Sequence, residues 1–272
     1  MIPRTIVLLA AVSCAGEGES DTSPPIDEPV YDCEPGSRTW PAGSLDDQRT
    51  ADGFSFNART PDDYDPTVAY PLLMVYAPAG ANAAVTEGFT GLTAPALEAG
   101  YIVVYAQHVS PRSAEAVAPL GAMAAEITEK WCVDRDRVYL TGHSDGGSIS
   151  TIIALFDQAG FAPAAIAPSA AGISAGLLNT LDCPGKQPVM VLHSINDTLF
   201  SPSEGFGEDA AAWWAACNAC DTGSGPSDID GCVSYDNCAD DAEVLYCEQT
   251  GGHGSWPDMN AEMLAFFGGH GG

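Results

Sequence analysis

An α/β fold, with a mostly parallel central sheet and helices on both faces, follows from three features of this 272-residue chain. Continuous apolar runs of buried-strand length alternate with stretches at helical spacing, the pattern of a parallel sheet joined by crossover helices. One such run, Val138-Tyr139-Leu140-Thr141, leads through Gly142-His143-Ser144-Asp145-Gly146 into a helix-compatible stretch, Ser148 to Leu155. Hydrophobic residues make up 46% of the sequence, enough for one sizeable core in a single domain.

The first 14 residues read as an export signal. Arg4 supplies a minimal positive region, and Thr5 to Val12 is apolar but too short to span a bilayer as a helix. The segment ends at Ala11-Val12-Ser13-Cys14, where small residues precede a cysteine as in a bacterial lipobox, with Ala11 at the usual leucine position. Cys14 is thus a candidate lipid anchor; ordinary signal cleavage between Ser13 and Gly16 is the alternative. Both readings take the mature protein out of the cytoplasm, extracellular or lipid-anchored at the cell surface. Residues 15–32 are acidic, rich in Ser, Pro and Gly, and lack apolar periodicity, which predicts a disordered tether. Residues 33–272 form the predicted folded domain.

Within it, Gly53 to Arg59 alternates like an early antiparallel strand, and Thr60 to Pro66 is a turn-rich loop. Pro71 to Tyr76 is a buried strand, followed by the small-residue loop Ala77 to Asn82. Gly91 to Ala99 reads as a helix closed by Gly100, and Tyr101 to Ala106 as another buried strand. Ala114 to Trp131 carries Val117, Leu120, Met123, Ala124 and Ile127 at helical spacing. After the strand that leads to Ser144, Phe161 to Ala167 is a weaker strand and Pro188 to His193 a clear one. Glu208 to Cys217 is a helix with Trp213 and Trp214, Glu243 to Cys247 the last strand, and Met259 to Phe267 the last helix.

Net charge is -28, with two lysines, Lys130 and Lys186. Such a surface repels nucleic acid and anionic membranes, which excludes both as partners. Apart from Cys14 there are eight cysteines: Cys33, Cys132, Cys183, Cys217, Cys220, Cys232, Cys238 and Cys247. An even number in an exported chain predicts disulfides, with the pairing left open. Cys217-x-x-Cys220 also has zinc-ligand spacing, but the oxidising compartment favours bridges, and no metal or cofactor is expected.

The strand-turn-helix at Ser144 has the chemistry of a nucleophile. Gly142 and Gly146 let the turn close around a strained serine, lifting its hydroxyl above the sheet at a helix N-terminus. The Asp145 backbone N–H is then one half of an oxyanion hole. The loop after the Pro71–Tyr76 strand is the expected source of the second donor; Pro78 has no N–H, so Ala79 is the candidate. Asp197 follows the strand ending at His193 and is the candidate carboxylate, against a plain turn-forming Asp. His253, in Gly251-Gly252-His253-Gly254 after the last strand, is the candidate base. His108 and Trp256 are candidates for lining the cleft. His143 is expected to point away from the serine hydroxyl, His193 to brace the acid loop, and His270 to be inert in a Gly-rich tail.

These residues, with their neighbours, resemble carbohydrate esterase family 1, the secreted feruloyl esterases and polyhydroxybutyrate depolymerase-like esterases. The likeness runs from about Phe54 to Phe267 and rests on several spaced motifs: Arg59-Thr60-Pro61-Asp62-Asp63-Tyr64, Trp131 to Tyr139, the Gly142 to Gly147 turn, Cys232-Val233-Ser234-Tyr235-Asp236-Asn237-Cys238, Cys247, and Gly251-Gly252-His253 with Trp256-Pro257. It implies an α/β-hydrolase fold and cofactor-free ester hydrolysis, with nucleophile, acid and base at Ser144, Asp197 and His253. Ala77-Pro78 stands where that family usually has His-Gly, Asp145 where it often has Asn, and the His253 loop is one residue longer before Trp256. The expectation is an exported, monomeric serine esterase acting on feruloyl or acetyl esters of plant polysaccharide. A short-chain polyester such as polyhydroxybutyrate is the alternative substrate, with Trp213, Trp214 and Trp256 as candidate pocket walls for either. A glycan-binding lipoprotein without catalysis is the alternative of another class, and a peptidase is disfavoured because no second domain gates the cleft.

Overall fold

A computed structural model describes residues 32–111, 114–156 and 162–271. The export signal, Cys14 and nearly all of the tether lie outside these residues, as does Phe161. Ten strands form one sheet in the order β1-β2-β4-β3-β5-β6-β7-β10-β9-β8. They are β1 (Ser44–Arg49), β2 (Ser55–Arg59), β3 (Tyr70–Tyr76), β4 (Ile102–Ala106), β5 (Val133–His143), β6 (Ala165–Ser169), β7 (Val189–Ser194), β8 (Ser224–Pro226), β9 (Cys232–Tyr235) and β10 (Val244–Gln249). The middle of the sheet, from β4 through β3, β5, β6 and β7 to β10, is parallel throughout. Antiparallel strands, β2 with β1 and β9 with β8, extend both edges.

The strands are apolar on both faces because both are covered. Along β3, Leu72, Met74 and Tyr76 enter one core with Leu120, Ile149, Ile153 and Trp214, while Leu73 and Val75 enter the other with Leu92, Ala96 and Phe267. Helices α3 (Ala114–Lys130), α4 (Asp145–Leu155) and α6 (Glu208–Cys217) thus cover the first face, and α1 (Ala83–Thr90), α2 (Thr93–Glu98) and α7 (Asn260–Gly268) the second. A short α5 (Ala175–Leu178) packs beside α6. The chain leaves β3 towards α1 and β5 towards α4, so it departs in opposite directions from two adjacent strands. In open α/β sheets this switch point, at the carboxyl ends of the strands, is where a crevice forms.

The predicted central strands and the 208–217 helix appear at or within a few residues of their expected bounds. The expected Gly91–Ala99 helix is shorter, and a separate helix precedes it. Asn82 caps α1 by accepting from the Val85 N–H at 2.9 Å, and Gly91, at φ 59°, closes it. Strands β1, β8 and β9 are also additional: Ser44-Leu45-Asp46-Asp47-Gln48-Arg49 is too polar to read as a strand and exists by pairing with β2.

The Arg59 to Tyr64 and Trp131–Cys132 motifs turn out to be structural. Arg59 is buried and ion-paired with Glu87 at 2.6 Å and Asp46 at 2.7 Å, tying β2 to α1 and β1. The Tyr64 hydroxyl accepts from the Cys132 N–H at 2.8 Å. The eight cysteines form Cys33–Cys132, Cys183–Cys217, Cys220–Cys238 and Cys232–Cys247. Cys217 and Cys220, the pair with metal spacing, therefore belong to different bridges. His270 is tied down rather than loose: its carbonyl accepts from Tyr139 Oη and its ring lies 3.4 Å from Glu243.

Cys33–Cys132 closes a span of 99 residues and Cys232–Cys247 one of 15. Chain-entropy arguments assign about 4.7 kcal/mol to the longer loop and about 3 kcal/mol to the shorter. The double variant Cys33→Ser/Cys132→Ser is expected to lower the midpoint of chemical unfolding more than Cys232→Ser/Cys247→Ser does. The reverse order would show that these bridges act through the native state instead.

Candidate active site

At the end of β5 the backbone reverses into α4 through Ser144, whose φ is 56° and ψ is -116°. A non-glycine residue there carries strain that the surrounding structure must hold. The means is close backbone approach. A Cβ on Gly142 would lie 2.6 Å from the Tyr76 carbonyl oxygen, one on Gly146 would strike the same oxygen, and one on Gly147 would lie 2.6 Å from the Ser169 carbonyl oxygen. The Ser144 N–H donates to that Ser169 carbonyl at 2.9 Å. The first turn of α4 is thus wedged between the ends of β3 and β6, with its N-terminal dipole beside the serine.

The carboxylate and imidazole come from neighbouring parallel strands. β7 and β10 pair in register through Ser194 and Gln249, and their following loops are stitched together. The Asn196 side-chain amide donates to the Thr250 carbonyl at 2.7 Å, the Ile195 N–H to the Gln249 carbonyl at 3.0 Å, and the Ser194 hydroxyl to the Gly251 carbonyl. Asp197, its side chain fully buried, therefore meets His253: Nδ1–H donates to Oδ2 at 2.7 Å. His253 Nε2 lies 2.9 Å from Ser144 Oγ. Serine, imidazole and carboxylate, distant in sequence, form one hydrogen-bonded line.

Burial pushes the Asp197 carboxyl up, but the Phe200 N–H, the His253 ring and the Leu199 N–H together outweigh it and hold it below the ordinary range. Both N–H groups donate to Oδ1 at 2.9 Å, leaving Oδ2 to the imidazole. His193 braces this loop: its Nε2–H donates to the Phe200 carbonyl at 2.8 Å, and burial holds the ring below its usual pKa, hence neutral. His143, 3% exposed, points away from the serine hydroxyl and reaches the histidine loop, donating from Nε2 to the His253 carbonyl at 2.6 Å.

Beside the line, His108 Nε2 lies 2.9 Å from Asp145 Oδ2, which gives the carboxylate next to Ser144 a hydrogen-bonding partner. Ala79 is exposed on the loop after β3. Trp256 sits behind the histidine loop, with its ring 6.2 Å from His143 and from Phe89 and its Nε1–H donated to Asn260 at 2.8 Å. It lines a cavity of about 200 Å³ together with Ser169, Leu192, Gln249 and Pro257. Trp214 is buried in the core, where it borders a small cavity of about 20 Å³ with His193 and Leu178, and Trp213 packs edge-on against it. Sequence reasoning missed Phe200, whose ring meets His253 edge-on at 5.0 Å and whose backbone holds Asp197. Its place three residues after the carboxylate, at hydrogen-bonding turn distance, is the available signal.

The desolvated His143 ring has its pKa lowered to about 4, with burial the main cause. The folded protein keeps it neutral while the unfolded chain binds a proton from pH 6.5 downward. Its contribution to stability is therefore present above pH 6.5 and lost as pH falls to about 4, at most on the order of 3 kcal/mol. His143→Gln, which has no titrating ring, is expected to show a shallower fall in Tm across pH 6.5 to 4 than the parent. Equal slopes would contradict the assignment.

No family model matches this chain. Among curated proteins it is similar to feruloyl esterase B of Piromyces equi, 27% identical over 221 residues, a match covering 71% of this chain and 41% of that enzyme. The chain thus spans less than half of that relative's length. Among solved structures it superposes on an acetyl xylan esterase from Aspergillus awamori with a TM-score of 0.63 at 13% identity, covering 83% of this chain and 98% of the other. Est1E from Butyrivibrio proteoclasticus matches with a TM-score of 0.53 at 12% identity, covering 84% and 97%. Sheet order, the strand-turn-helix at Ser144 and these superpositions agree: the chain has the α/β-hydrolase fold.

Proposed function

We propose that this α/β-hydrolase is a serine carboxylic-ester hydrolase, exported from the cell, that acts on feruloyl or acetyl esters of plant polysaccharide. The observation carrying this reading is the Ser144–His253–Asp197 line, with hydrogen bonds of 2.9 and 2.7 Å. The similarity to a feruloyl esterase supports the substrate class, and four disulfides fit an oxidising compartment. In the mature chain Cys14 is the proposed lipid attachment point.

In this mechanism Ser144 Oγ attacks the ester carbonyl carbon while its proton passes to His253 Nε2. Asp197 stabilises the imidazolium and keeps Nδ1–H in place. Negative charge on the tetrahedral oxygen is met by the backbone N–H of Asp145 at the α4 N-terminus and that of Ala79 on the loop after β3. Collapse breaks the bond to the sugar oxygen, which takes the proton from His253. A water then repeats the sequence on the acyl-serine, releasing the acid and restoring Oγ–H. All charge development is handled by side chains and backbone.

Ser144→Ala is expected to reduce hydrolysis of a p-nitrophenyl acyl ester by a factor on the order of 10⁴ or more. Parent protein is expected to release ferulate or acetate from substituted xylan and to leave a polyhydroxybutyrate film uncleared. Equal hydrolysis by parent and Ser144→Ala would end the catalytic reading. Film clearing without ferulate or acetate release would move the substrate to the polyester class.

A further inference from the structure

We propose that His143 is a positioning residue, an imidazole clamp that fixes the catalytic histidine by its backbone. The inference rests on the esterase reading of Ser144 and His253. His143 is the residue immediately before the nucleophile, at the last position of β5. Strand alternation sends its side chain to the face away from the Ser144 hydroxyl. There it meets the histidine loop from below: Nε2 to the His253 carbonyl oxygen is 2.6 Å, and Nδ1 to Ser169 Oγ is 3.1 Å.

The partners fix the tautomer. A carbonyl only accepts, so Nε2 carries the proton; neutral Nδ1 then accepts from the Ser169 hydroxyl. Ser169 ends β6, and its carbonyl already holds the Ser144 N–H. Two adjacent strand ends thus converge on one carbonyl in a loop of glycines, Gly251, Gly252 and Gly254, that has little stiffness of its own. Around the ring, Phe89 lies edge-on at 5.1 Å and Trp256 at 6.2 Å. Among the described residues, His143 is the one hydrogen-bond donor to that carbonyl. The consequence is a rigid link from the nucleophile to the base through backbone, not through the reacting atoms. Without it His253 keeps its hydrogen bond to Asp197, but its loop can drift, and the distance from Nε2 to Oγ is no longer set.

Two variants separate this role from ordinary packing. His143→Phe keeps the ring against Phe89 and Trp256 but removes the donor. His143→Gln replaces the ring by an amide N–H that reaches about as far as Nε2. With kcat expressed per active site titrated by a phosphonate ester, His143→Phe is expected to lose about 10- to 100-fold in kcat, the cost of a misplacement near 1 Å. Its KM is expected to stay within about twofold, because the ester-binding surface is untouched. His143→Gln is expected to recover most of the lost kcat. Ser169→Ala, which removes only the hydroxyl behind Nδ1, is expected to give an intermediate kcat at near-parent Tm.

Parent-like kcat in His143→Phe would overturn the clamp while leaving the esterase reading intact, since the parent would be active. So would equal kcat losses in His143→Phe and His143→Gln that track equal losses of Tm, because packing alone would then account for both. Should His143→Phe fail to fold, Ser169→Ala and His143→Gln decide: parent-like kcat in the first together with no activity in the second would equally overturn the clamp. An inactive parent would sink the esterase reading itself, a different outcome from any of these.

Discussion

Helix α4 begins between the carbonyl groups of Tyr76 and Ser169, nearer to both than any side chain on residues 146 and 147 would permit. That contact sets the height of the helix over the sheet and forces Ser144 into the left-handed region at φ 56°. A strained serine persists only where its surroundings over-determine it. Here the Ser144 N–H is held by the end of β6, and its carbonyl receives the Ser148 N–H at 2.9 Å and the Ser148 hydroxyl at 3.0 Å. The hydroxyl has one direction left, outward over the carboxyl ends of the strands. Everything else at the site is arranged to meet it there.

Asp197 and His253 are held differently from Ser144. The serine sits on a turn locked by backbone packing, whereas Asp197 and His253 lie on loops that gain rigidity from each other. Register between β7 and β10 brings the loops together, and the bonds from Ser194, Ile195 and Asn196 to the 249–251 backbone join them. Two neutral imidazoles outside the line then grip one carbonyl each, His193 that of Phe200 and His143 that of His253. Charged rings would be costly so deep in the fold; neutral ones are cheap to bury and still donate one strong hydrogen bond.

Periodicity made the parallel centre of the sheet legible, because strands buried on both faces are apolar at every position, as in Leu72 to Tyr76. The edges were not legible. β1 and β8 are polar strands that owe their form to a neighbour, and no local pattern announces a partner distant in sequence. Much of the site was readable for the same reason as the centre: strand, glycine turn and helix are contiguous in sequence around Ser144, and Asp197 and His253 each follow a recognisable strand. Phe200 and Ser169 were not readable. Their roles lie in a backbone N–H and in a hydroxyl facing a ring from another strand, and neither leaves a trace in residue type. The cysteine pairing belongs with them, since eight cysteines permit 105 arrangements and only the fold chooses among them.

Asp145 poses the sharpest electrostatic question. A carboxylate one residue from Ser144 would raise the energy of any oxyanion formed there, and the chain carries a net charge of -28 besides. Two features offset this locally. The carboxylate lies in the first turn of α4, where the helix dipole favours a negative group. It is also paired with His108, with Oδ2 2.9 Å from Nε2, so an imidazole partners its charge. The backbone N–H of the same residue is left to face the reacting oxygen in the proposed mechanism. In that mechanism one residue separates two opposed electrostatic roles, its anionic side chain paired with His108 and its N–H donated to the reacting oxygen. The partner that allows this separation, His108, comes from the loop after β4, an element that takes no part in the Ser144–His253–Asp197 line.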